Sequence, residues 1–62
     1  MKFKIKEIRK KKRLSQEELS EISGVSRATI SSLEARKDVI TKIDTLQKLA
    51  DALNVKVSDF LD

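Results

Sequence analysis

The chain is 62 residues long, carries a net charge of +4, and contains one Gly and no Pro, Cys or His. That length admits a single domain, 1–62, which buries only about 60% of the surface its unfolded form exposes and so depends on close helix packing or a partner subunit. The composition excludes a disulfide framework, a thiolate–imidazole zinc site and a general base titrating near neutral pH. No apolar run reaches the ~20 residues of a membrane span, and the start lacks an export signal. The expectation is a soluble, cytoplasmic, non-enzymatic protein with no metal, no cofactor, no membrane partner and no evident small-molecule ligand.

Residues 1–13 hold eight of the fourteen Lys and Arg residues and one acid, Glu7, whereas the remainder holds six basic and nine acidic residues. Such a basic end suits either a polyanionic partner or a solvated, lysine-rich helix face. Ile5 and Ile8 share a helical face and predict a first helix over residues 5–12, with residues 10–13 at the negative end of its dipole. Ser15, Gln16, Glu17 and Glu18 have the spacing of a capping box, and Leu14 with Leu19 that of a hydrophobic staple, so a second helix starts at about Gln16. It stops at Gly24, the residue that takes a left-handed conformation without penalty. Ser26 then caps a third helix that runs to about Ala35. Residues 36–43 lack a period and read as a loop. Asp44 or Thr45 caps a fourth helix with Leu46, Leu49, Ala50 and Leu53 on one stripe and Asn54 at its C-terminal end. Ser58 begins a last short turn with Phe60 and Leu61 packed inward. The reading is all-α, with five short helices and a core over about 5–61.

On a wheel of ~100° per residue, Ile30 and Leu33 mark the buried side of the third helix. Arg27, Ala28, Ser31, Ser32 and Ala35 collect on the opposite side. This face is small, polar and free of acid, whereas the second helix carries Glu17, Glu18 and Glu21. A helix entering the major groove needs such a face, because carboxylates repel phosphates and bulky side chains hold the backbone away from base edges. Arg27 is the strong reader, able to bond guanine O6 and N7 together. Ser31 and Ser32 suit a base or a phosphate, and Ala28 a thymine methyl. An ordinary amphipathic helix with a neutral solvent face has the same pattern; the glycine turn before it distinguishes the two.

Residues 16–35 resemble the helix-turn-helix signature of the phage-repressor (Cro-like, XRE) family through Gln16, Leu19, Ser20, Gly24, Val25, Ile30 and Leu33. The resemblance extends over residues 5–61 through IRKKKRLSQEEL and TLQKLADALNVKVSDFL. It implies a compact, five-helix, lambda-repressor-like fold whose helix-turn-helix is formed by helices 2 and 3. It also implies a transcriptional regulator of repressor type that binds double-stranded DNA sequence-specifically, as a homodimer on a palindromic operator with half-sites about 34 Å apart. By position the family directs Arg27, Ala28 and Ser32 toward bases, and Ser15, Gln16 and Lys37 toward phosphates. The helix-start amides at Gln16 suit an anion independently. The family pairs an arginine of helix 1 with a glutamate ending helix 3, here Arg9 and Glu34, and the wheel agrees by placing Glu34 beside Ile30.

The chain also departs from that pattern. Arg13 stands where the family usually has Gly, so either Arg13 is left-handed or the first helix ends differently. Arg36 replaces another Gly, one extra residue precedes helix 4, and the loop lacks the usual Pro. The same fold also serves protein-interaction modules such as antitoxins or anti-regulators. Arg27 and its acid-free face favour DNA, since a protein binder more often places apolar anchors there. Val55, Val57, Phe60 and Leu61 either form the dimer surface or fill the monomer core.

Overall fold

The computed structural model describes residues 4–35 and 42–61. These residues form α1 (Ile5–Lys11), α2 (Gln16–Ser23), α3 (Arg27–Ala35) and α4 (Ile43–Leu53), followed by a 3-10 turn over Val57–Phe60. The architecture is all-α, with no strand among the described residues. The fifth helix is corrected to that single turn. Its four residues lie between extended backbone at Lys56 and Leu61, which leaves room for one i→i+3 turn and no propagation.

The helix ends follow from local chemistry. The Ser15 hydroxyl accepts from the Glu18 amide at 3.0 Å while the Glu18 carboxylate accepts from the Ser15 amide at 3.0 Å, a complete capping box. Gly24 ends α2 at φ +74°, and a Cβ there would meet nothing within 4 Å, so backbone conformation alone calls for glycine. Asn54 ends α4 at φ +58°, a conformation its short amide side chain tolerates. The start of α4 is corrected. Lys42, rather than Asp44 or Thr45, is the N-cap, with no side-chain cap bond, and Asp44 instead places its charge in the first turn against the helix dipole. Ile43 stands three residues before Leu46, at the edge of the apolar stripe, but as the first residue of the helix it is 65% exposed.

Between α1 and α2 the chain turns through Arg13, which adopts φ +59°. An L side chain in this region costs ~1–2 kcal/mol, of which ~0.4–1 kcal/mol is offset by the extra unfolded-state freedom a glycine would bring. Arg13→Gly is therefore expected to stabilise the fold by up to about 1 kcal/mol, read as a higher urea midpoint at unchanged m.

Ile5, Leu19, Val25, Ile30, Leu33, Leu46, Leu49, Ala50, Leu53 and Phe60 form one buried cluster drawn from every element. In it α2 packs against both α3 and α4, and α1 against α3. Val55 and Val57 are half-buried against this core and Phe60 is fully inside it. Leu61 is corrected from inward to outward, at 40% exposure. The backbone becomes extended at Leu61, φ −87° and ψ 142°, so it points away from the side Phe60 occupies. Among the described residues the exposed large apolar side chains are Ile22, Ile43 and Leu61. The Lys4 amide donates to the Phe60 carbonyl at 2.8 Å, joining the two ends of the described fold. No described helix is long and apolar enough to cross a membrane.

Candidate nucleic-acid interface

The turn between α2 and α3 fixes how α3 is presented. After left-handed Gly24, the Val25 amide donates to the Ser23 hydroxyl at 3.1 Å while the Val25 side chain enters the core. The Ser26 hydroxyl accepts from the Thr29 amide at 3.2 Å and donates to the Thr29 hydroxyl at 2.8 Å, capping α3 as its sequence position predicts. Ile30 and Leu33 are then buried, which turns Arg27, Ala28, Ser31, Ser32 and Ala35 outward, all exposed. Arg27 is the first residue of the helix and stands at its leading end. Among the described residues the side chains of Arg27, Ser31 and Ser32 make no hydrogen bond, leaving their donors available. The acids of α2 (Glu17, Glu18 and Glu21) are exposed on a different helix, and the one acid of α3 is turned into the body.

That acid, Glu34, is the centre of a network joining three helices. Arg9 donates from Nε to Glu34 Oε2 at 2.8 Å and from Nη2 to Glu34 Oε1 at 3.0 Å, with side-chain exposures of 9% and 3%. The pairing expected from the sequence is therefore present, and it is bidentate. Two further contacts were not foreseen. Arg9 Nη1 donates to the Leu14 carbonyl at 2.7 Å, and Gln16 Nε2 donates to Glu34 Oε1 at 3.0 Å. The five N–H donors of a guanidinium exceed what one carboxylate takes up in two bonds, which was a signal for a further acceptor near Arg9. The Gln16 contact crosses between helices and has no local signature.

The structure thus brings Ser15 and Gln16 together at the start of α2, beside the end of α3. The Ser15 hydroxyl accepts within the capping box and keeps its own proton to donate, while Gln16 is half-buried and oriented by Glu34. Lys37 and Arg36 lie outside the described residues.

Burial pushes the Glu34 carboxyl up, but the bonds from Arg9 and Gln16 and the positive charges of Arg9 and Lys6 outweigh it, and the net shift is downward. The Glu34 bond raises Arg9 further above its ordinary range, against the effect of burial. An unfolded glutamate titrates at about 4.3. Stabilisation from Glu34 is therefore complete above that pH and disappears as pH falls through the lower native value. Urea midpoints followed from neutral to acid pH should decline over that window, with a shallower decline in Glu34→Gln.

Comparison with known proteins matches both the sequence and the fold. A family model described as helix-turn-helix matches residues 5–60. A solved structure titled a SinR protein/SinI protein complex aligns at a TM-score of 0.87 with 37% identity, covering 95% of this chain and 57% of the matched chain. This chain therefore spans little more than half of that neighbour's length. A search of curated proteins found no match.

Proposed function

The chain belongs to the XRE-type helix-turn-helix family, and from that premise we propose that it is a transcriptional regulator of repressor type that binds double-stranded DNA sequence-specifically. The observation that carries this reading is the exposed, acid-free face of α3 with Arg27 at its leading end. In the major groove, Arg27 takes guanine O6 and N7, Ala28 packs on a thymine methyl, and Ser31 and Ser32 bond base edges. Ser15, Gln16 and Lys37 hold phosphates and set the register of the helix. One strong discriminator per protomer gives limited specificity, so the protein works as a homodimer on a palindromic operator, in the cytoplasm.

Selection of bound sequences from a random DNA pool tests the reading. A palindrome supports both DNA recognition and pairing. No enrichment supports a second reading, a protein-interaction module such as an antitoxin or anti-regulator. That alternative draws on exposed Ile22, Ile43 and Leu61, and on the solved neighbour being a complex of two proteins.

Arg27→Ala is expected to weaken binding to the selected site by ~1–3 kcal/mol and to relax preference at one base position while leaving the salt slope intact. Competition titrations against single-base variants of the site measure this. An equal loss on every sequence would reassign Arg27 to a phosphate.

A further inference from the structure

Apart from Arg9, and the charge that Lys6 sets near Glu34, the basic side chains at the start of the chain have no role in the contacts described so far. In α1 and the turn after it, Lys6, Lys10 and Arg13 are all exposed, and among the described residues none has an ion-pair partner. Their placement is not random around the helix. At ~100° per residue Lys6 and Lys10 lie on one flank of Arg9, about 60° and 100° from it, with Ile8 on the other flank. Glu7, the acid of α1, falls beyond Lys10 on the next stripe, beside Lys11.

Arg9 points to Glu34 at the end of α3 and to the Leu14 carbonyl at the entrance of α2, so the flanking row runs alongside the same junction. Lys6 is close enough for its charge to favour the ionised Glu34 carboxylate, which places it on the side of α1 turned toward the end of α3. Arg13, exposed in the turn that follows, adds a third cation two residues before Ser15. Like charges four apart on a helix cost a few tenths of a kcal/mol, which offsets what Lys10 gains at the negative end of the dipole, and Lys6 in the first half of α1 has no such gain. The half-buried Ile8 packs on the core and leaves no apolar edge for a lipid surface, and a row of spaced cations matches the regular charge of a nucleic-acid backbone.

We infer that Lys6, Lys10 and Arg13 form a second, sequence-independent phosphate ridge on α1, against which the backbone strand bordering the groove occupied by α3 lies. This rests on the DNA-binding reading above and extends it. The ridge adds affinity and speeds encounter without adding base discrimination.

The test is a salt series with the wild type and Lys6→Gln/Lys10→Gln/Arg13→Gln, on a duplex carrying the selected sequence and on its scrambled counterpart. Far-UV circular dichroism and the urea midpoint establish that the variant is folded. The expected result is a plot of log affinity against log salt that is shallower by about 0.9 for each phosphate the variant no longer neutralises, hence up to ~2.7 per protomer. The loss should be equal on both duplexes, with the ratio of specific to non-specific affinity unchanged. A wild type that binds with salt dependence and a folded variant with the same slope would overturn the ridge and leave the DNA reading standing. A loss confined to the selected sequence would also overturn it, by making these residues part of base readout. A wild type that binds neither duplex would overturn the DNA reading itself, and the ridge with it.

Discussion

Replacing Arg9 by alanine is expected to remove ~3–5 kcal/mol of folding stability. A domain of this size has only about 3–9 kcal/mol to lose, so the variant should be largely or wholly unfolded. The cost arises from what the truncation leaves behind. The Glu34 carboxylate, 3% exposed, would keep Gln16 as its one hydrogen-bond donor among the described residues, and the Leu14 carbonyl would be deprived of the 2.7 Å bond from Nη1. A buried charge without its counter-charge is far more costly than the intact pair is stabilising. Arg9→Met with Glu34→Leu should therefore recover much of the loss, because the buried charge is removed along with its partner. Urea denaturation of the wild type, Arg9→Ala and the double variant separates these effects. An Arg9→Ala midpoint equal to that of the wild type would mean that water takes over the role of the guanidinium. The consequence for recognition is direct, since the same network sets α3 relative to α1 and orients Gln16 at the start of α2.

Phe60→Ala is the second large effect, at ~3–5 kcal/mol, and it acts through a cavity rather than a charge. Phe60 is fully buried, in a cluster with residues from all four α-helices. Its position is held from both sides, by the 3-10 turn that it closes and by the bond from the Lys4 amide to its carbonyl. A melting temperature lower by roughly 12–40 °C is expected from the size of the domain. Under the proposed function, added duplex of the selected sequence should restore part of the loss, because it binds only the folded form. A small shift would mean that the neighbouring side chains collapse into the space left by the ring.

How much of this was readable beforehand depended on whether the signal was local. The Ser15–Glu18 capping box, the stop at Gly24, the Ser26 cap and the Leu46 to Leu53 stripe each lie within a turn or two of helix, and all are present. The outward direction of Arg27, Ala28, Ser31 and Ser32 followed from the burial of Ile30 and Leu33 on the same short helix. The misreadings fall at element ends, where a cap or a period is lacking. The N-cap of α4, Lys42, makes no side-chain cap bond and so carries no cap signature, and Leu61 follows a turn too short to carry a period. Gln16 and the Leu14 carbonyl entered the Arg9 network unannounced because contacts between elements depend on how helices cross, which no single helix encodes. The left-handed Arg13 was one of two outcomes the missing glycine allowed, and only the path of the chain between α1 and α2 selects it.

The 2.8 Å bond between the Lys4 amide and the Phe60 carbonyl has a consequence outside the domain. Because the fold begins and ends at one point, it takes up almost no contour in any longer chain that carries it. Two copies joined head to tail would then have a separation set by the connecting segment alone, reaching roughly 5–6 Å times the square root of its residue count if flexible. The span such a linker bridges would thus be the distance between the joined ends of the two copies, with no allowance needed for the width of either domain between its own ends.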